Sequence, residues 1–212
     1  MQEFIDLIEK AKNVFDQRTA VRDQALVQAR QLTRLAAHTI RAIHRDEADT
    51  AQSLLSEARV LTLNIQRDLA SYPDVYYAGY TQDAIKEFAE ANLTVALILN
   101  QPMPTPEELG IEYAAYLNGL AETIGELRRK CLDILRQGYS EDAERLLASM
   151  DEIYNVLVTM DYPDAITNGL RRQTDLVRGI IERTRADLTL SLREQHLQEA
   201  LLKFSDRFPG LQ

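Results

Sequence analysis

The chain has 212 residues, a formal net charge of −9 and a single cysteine. Its length suits one domain with a substantial core, one cysteine excludes a disulfide framework within the chain, and the acidic balance disfavours phosphate binding unless Lys and Arg are locally concentrated. The sequence has no apolar run of 18 residues and no signal-type leader, so we expect a cytoplasmic protein without a membrane segment, forming one domain over residues 1–212.

Glycine and proline are scarce, so the ends of the helices can be predicted from the few places where they occur. The predicted fold is all-α, a single-domain bundle of about six or seven long helices. In chain order we expect helices at about 2–45, from Asp46 or Asp49 to about 69, and at about 81–100, 107–137, 140–160 and 164–204. Tyr-Pro pairs and the proline-rich segment 101–106 separate several of them.

Two pairs of glutamates, Glu87 with Glu90 and Glu122 with Glu126, lie in the most apolar predicted helices. Spacings of three and four residues place both members of a pair on one helix face, where like charges repel. An ionised carboxylate in such surroundings needs a cationic partner. A hard divalent cation bound through oxygen, Mg²⁺ or Mn²⁺, would satisfy both pairs. The alternative is a network of ion pairs, in which Glu126 meets Arg129 or Lys130 and Glu90 meets an arginine from elsewhere in the chain.

A basic stripe follows one face of the first predicted helix, opposite its apolar face. It consists of Arg30, Arg34, His38, Arg41 and Arg45, which lie within about 80° of one another on a helical wheel. The stripe is either an ordinary solvated face or a track for phosphates. On the second interpretation, Arg30, Arg34, Arg41 and Arg45 are the nucleic-acid-binding residues.

Several short motifs resemble those of the translin and TRAX family, and they occur in the same order. From about Arg18 to about Leu190 the resemblance runs through RAIHR (41–45), YPDVYY (72–77), KEFAEA (86–91), LGI (109–111), YLNGLAETIGEL (116–127), Cys131, GY (138–139) and LRR (170–172). Single motifs are weak, but their order and spacing together are specific.

The resemblance implies an all-helical subunit that forms closed octamers and binds single-stranded nucleic acid, RNA or DNA. TRAX-type subunits are metal-dependent endoribonucleases, and their acidic pattern falls here on Glu87, Glu90, Glu122 and Glu126. TRAX-type chains more usually have aspartate in place of Glu122, so the side chain is one methylene longer here.

The sequence therefore predicts a Mg²⁺- or Mn²⁺-dependent endoribonuclease that acts on single-stranded RNA or unpaired RNA tails. It would work as a homo-oligomer, most simply an octamer, or with a paralogous partner. One alternative is a translin-like oligomer that binds single-stranded nucleic acid without cleaving it. Another is an all-α scaffold that binds no nucleic acid.

Overall fold

The computed structural model describes residues 1–207, and every regular element in that range is an α-helix. The helices are α1 (Gln2–His44), α2 (Ala48–Leu69), α3 (Pro73–Tyr76), α4 (Gly79–Ile98), α5 (Pro106–Leu109), α6 (Tyr113–Leu135), α7 (Glu141–Leu157), α8 (Asp164–Thr167) and α9 (Leu170–Arg207). Six of these have 17 or more residues, which confirms the predicted all-α fold. Over residues 1–207, no helix combines the length and hydropathy that a membrane span requires.

The helix predicted at 107–137 is two helices, α5 and α6, separated by a left-handed residue. The Thr105 hydroxyl accepts a hydrogen bond from the Glu108 N–H at 3.2 Å, and the Glu108 carboxylate accepts one from the Thr105 N–H at 2.8 Å. This capping box starts α5. Gly110, with φ of 69°, ends it after one turn, because glycine adopts this conformation at little cost.

The helix predicted at 164–204 is also divided, into the single turn α8 and the long α9. Asn168 and Gly169 both have positive φ, 52° and 81°, and their left-handed backbone cannot continue an α-helix. We call the segment Asp164–Gln173, which contains this break, the α8–α9 elbow. The elbow sets the direction of α9 relative to α8.

The chain forms two compact units, of which the first comprises Met1–Asn92 and Pro104–Tyr116. Small residues on α1 and α2 allow these two helices to pack closely. Polar contacts add to this packing: the Gln28 amide donates to the Asp68 carboxylate at 2.9 Å, and Arg18 pairs with Asp74 at 3.3 Å. The core of this unit includes Ala25, Ala29, Leu32, Ala58, Ile65, Leu69, Val75, Ile85, Phe88, Leu109 and Ile111.

The second unit comprises Leu93–Met103 and the described residues from Leu117 onward. Its α7 and α9 pack against each other. The Arg145 guanidinium donates to the Leu97 and Ile98 carbonyls at 2.9 and 3.3 Å, which satisfies acceptors that the end of α4 leaves open. Its buried side chains include Ile124, Leu127, Cys131, Leu146, Met150, Ile153, Leu157, Leu170, Val177, Ile181 and Leu188. Two statements stay predictions: residues 1–212 form one domain, and the protein is cytoplasmic.

Candidate metal centre

Helix α4, which carries Glu87 and Glu90, is unusually apolar and buried for a helix with acidic residues. Phe88, Ala89 and Ala91 are completely buried, and Glu90 itself is only 8 % exposed. Glu87 is half-buried, with one carboxylate oxygen 3.7 Å from the Lys86 ammonium. The expectation of carboxylates inside an apolar helix is therefore met, and most clearly at Glu90.

Helix α6 carries Glu122 on a face of small and polar residues. One turn earlier, the buried Asn118 side chain donates to the Thr167 carbonyl at 2.7 Å. Glu122 is half-buried, and its Oε1 accepts a hydrogen bond from Gln173 Nε2 at 3.0 Å. Both contacts come from the α8–α9 elbow, so the elbow lies against this face of α6.

Three of the four predicted carboxylates converge. Glu87, Glu90 and Glu122 each offer one oxygen, and these three atoms lie within 4.8 Å of one another. Oxygens that ligate one Mg²⁺ ion are separated by about 3 to 4 Å, given bonds of 2.0–2.1 Å. The 4.8 Å limit of the cluster lies slightly above that range. All three donors are carboxylate oxygens, the ligand type that Mg²⁺ and Mn²⁺ prefer, so the residues present fit such an ion.

Glu126 does not belong to this cluster. Its carboxylate lies 3.7 Å from the Arg129 guanidinium, one turn along α6. For this residue the structure contains an ion pair of the kind considered as the alternative in the sequence analysis. Its place among the metal ligands stays a prediction.

The four arginines of the basic stripe are all exposed on α1 or at its carboxyl end. Arg45 pairs with Glu47 at 3.2 Å. Arg30, Arg34 and Arg41 have no hydrogen bond or ion pair within residues 1–207. These three guanidinium groups are thus available to an external anion, although an ordinary solvated face would have the same geometry.

Two polar residues near the carboxylates were not predicted. Gln173 contacts Glu122 across 51 positions of sequence, and no local pattern signals such a contact. Thr94 is completely buried, and within residues 1–207 its hydroxyl has no hydrogen-bond partner. It lies one helical turn after Glu90, so the periodicity of α4 would have placed it on the same face.

No family model matches the chain. An uncharacterized protein of Methanocaldococcus jannaschii is 33% identical over 193 residues, which cover 89% of this chain and 84% of that protein. The structure of AfC3PO from Archaeoglobus in complex with duplex RNA is 31% identical, covers 88% of this chain and 97% of that one, and superimposes with a TM-score of 0.82. A crystal structure of AfC3PO gives the same identity and coverage with a TM-score of 0.81. Apo-NeC3PO from Nematostella shares the fold at 22% identity, covering 87% of this chain and 96% of that one, with a TM-score of 0.77.

Proposed function

The chain belongs to the translin/TRAX family, and on this premise we propose that it is an RNA-binding, metal-dependent endoribonuclease. The observation that carries the proposal is the convergence of the Glu87, Glu90 and Glu122 oxygens within 4.8 Å. Carboxylates so close repel each other by about 1 kcal/mol per pair even at the dielectric constant of water. A divalent cation held between the three carboxylates would offset this repulsion.

Glu87, Glu90 and Glu122 are the proposed ligands of Mg²⁺ or Mn²⁺, and Glu126 is kept in the proposed catalytic set on the family pattern. A bound divalent cation would activate a water and neutralise the charge that develops on the phosphodiester. Glu90, which is buried, provides a ligand shielded from competing water. Arg30, Arg34, Arg41 and Arg45 would hold substrate phosphates without reading sequence, because guanidinium contacts to the backbone carry no base information.

The proposed substrate is single-stranded RNA or an unpaired RNA tail. Because AfC3PO has been solved with duplex RNA, a test of substrate class includes both forms. The second candidate function is a translin-like oligomer that binds RNA without cleaving it, and Glu126 favours it, since its carboxylate is engaged by Arg129.

The deciding experiment incubates labelled single-stranded and duplex RNA with the purified protein, in Mg²⁺, Mn²⁺ or chelator. Glu90→Gln is the test variant, and Glu57→Gln, which alters an exposed glutamate on α2, is the matched control. We expect metal-dependent cleavage by the wild type and the control, and none by Glu90→Gln. RNA binding without cleavage by the wild type would establish the binding function instead, and absence of both would leave a scaffold.

We further propose that the chain acts as an oligomer, most simply a homo-octamer, or as a hetero-oligomer with a paralogue. Large apolar side chains are exposed on both terminal helices, including Phe4 (68 %) and Phe15 (66 %) on α1 and Leu201 (59 %) and Leu202 (66 %) on α9. Large exposed apolar side chains of this kind favour burial against another subunit. Light scattering at micromolar concentration tests this, because a mass near the 24.1 kDa of one chain would refute it.

A further inference from the structure

Glu122 is held by a side chain from a distant part of the sequence, since Gln173 Nε2 on α9 donates to Glu122 Oε1 at 3.0 Å. We propose that Gln173 is a positioning residue for the metal centre, which fixes the Glu122 carboxylate in its cation-binding orientation. The inference rests on the proposed function, because it assigns Gln173 a role toward a ligand of that metal centre.

The backbone of the α8–α9 elbow explains why Gln173 reaches α6. Asn168 and Gly169 take left-handed conformations, with φ of 52° and 81°, and α9 starts at Leu170 immediately afterwards. Gln173 therefore lies in the first turn of α9. If residue 168 had helical backbone angles, the Gln173 side chain would point in a different direction.

A second contact anchors the elbow on the same face of α6. The Asn118 side chain donates to the Thr167 carbonyl at 2.7 Å and is only 4 % exposed. Asn118 and Glu122 are four residues apart, so they lie one above the other on the helix. The buried Asn118 contact fixes the elbow, and the fixed elbow in turn fixes the amide of Gln173.

The flexibility of a glutamate side chain explains why the Gln173–Glu122 hydrogen bond would matter for metal binding. Glutamate has one more rotatable bond than aspartate, so its carboxylate samples more orientations unless another group restrains it. A carboxylate offers about four lone-pair positions, and the hydrogen bond from Gln173 occupies one of them. Groups that orient metal ligands in this way typically change metal affinity about 10- to 100-fold when removed.

The test measures Mn²⁺ affinity of the full chain by EPR detection of free Mn²⁺, without RNA. Gln173→Met removes the donor and keeps the length of the side chain. Gln28→Met is the matched control, because Gln28 makes the same kind of contact, at 2.9 Å, with the Asp68 carboxylate. We expect Mn²⁺ affinity to fall about 10- to 100-fold in Gln173→Met and to stay at the wild-type value in Gln28→Met.

A double variant separates positioning from general damage to the fold. If Gln173 acts through Glu122, Gln173→Met should cause no further loss of Mn²⁺ affinity in a Glu122→Gln background. If Gln173→Met fails to fold, Gln173→Asn takes its place, since it keeps an amide but withdraws it by one methylene. Raising Mn²⁺ should restore the cleavage rate of either variant toward the wild-type value.

The outcomes distinguish this inference from the proposed function. A wild-type chain that binds no Mn²⁺ would refute the metal centre and the role of Gln173 together. A wild type that binds Mn²⁺, with Gln173→Met binding equally tightly, would overturn the role of Gln173 alone. An equal loss of affinity with and without Glu122 would also overturn it, because the effect would then not pass through that carboxylate.

Discussion

Glu90 is the most buried member of the carboxylate cluster, so neutralising it gives the sharpest test of the metal centre. Glu90→Gln removes one negative charge and keeps the size of the side chain. At the 4.8 Å limit of the cluster, repulsion from two neighbouring carboxylates is about 2 kcal/mol at the dielectric constant of water and about 7 kcal/mol at an effective value of 20. Nearby cations such as Lys86 offset part of this. We expect the metal-free variant to be more stable than the wild type by about 1 to 2 kcal/mol.

Metal should reverse this order of stability. A cation that binds only the folded chain stabilises it by about 2.7 kcal/mol at one hundred times its dissociation constant. For a chain of about 200 residues this raises the melting temperature by about 5 to 11 °C. The wild type should show this rise with Mn²⁺, whereas Glu90→Gln, with one ligand charge fewer, should show less than half of it.

Thermal melting by circular dichroism, with chelator and with a Mn²⁺ titration, measures both effects. Glu57→Gln on the exposed face of α2 is the control and should respond to Mn²⁺ as the wild type does. Two results would refute the reasoning. One is a Glu90→Gln variant that melts well below the wild type in chelator, which would identify Glu90 as a structural ion-pair partner. The other is an equal Mn²⁺ response in all three proteins.

Four further substitutions or modifications test other parts of the structure. Replacing Arg34 and Arg41 by Ala should weaken binding to RNA of every sequence and flatten its salt dependence; unchanged salt slopes in a filter-binding titration would make the stripe a solvated face. Thr94→Val should raise the melting temperature, because it removes a buried hydroxyl without a hydrogen-bond partner in residues 1–207, worth about 1 kcal/mol or more; a lower melting temperature would contradict this. Burial raises the pKa of the Cys131 thiol to about 12, so a thiol reagent at pH 8 should label it far more slowly in the native chain than in denaturant. Gly110→Ala should lower the melting temperature by about 2 to 4 °C, since a left-handed alanine costs about 1 kcal/mol; φ at this position is 69° and the nearest side chain is 3.8 Å from an added Cβ.

The long helices were predictable because scarce glycine and proline mark their ends, and the predicted all-α fold is confirmed. The short breaks were missed for a physical reason. In the sequence, Gly110 is an isolated glycine within a helical pattern. Helix α5 ends there because the backbone of Gly110 is left-handed, and the sequence alone does not indicate that conformation. The Thr105 to Glu108 capping box was a visible start signal. Asn168-Gly169 was a visible turn signal. However, neither the capping box nor this turn signal indicates the direction of the helix that follows.

The family resemblance drawn from ordered motifs is confirmed, and the site could be predicted in part. Apolar context and helical spacing selected four glutamates, and three of them meet. Spacing could not separate Glu122 from Glu126, because two residues four apart share one helix face. The surroundings of α6 decide which one joins the cluster. The role of Gln173 could not be predicted for a different reason, because it lies 51 positions from Glu122 in the sequence and no local pattern signals their contact.

A negative net charge is compatible with RNA binding because the positions of the charged groups matter more than their sum. The formal charge of −9 includes three carboxylates that each place one oxygen within 4.8 Å of the others, a concentration of acidic groups that would repel a phosphodiester. A divalent cation held there would offset this repulsion, while Arg30, Arg34 and Arg41 stay exposed and have no partner within residues 1–207. On the proposed function, metal binding would therefore change the electrostatic field that RNA meets, because at short range local charge outweighs the screened net charge. On the proposed function, metal binding and RNA binding are coupled favourably, and the carboxylates contribute to substrate binding as well as to catalysis.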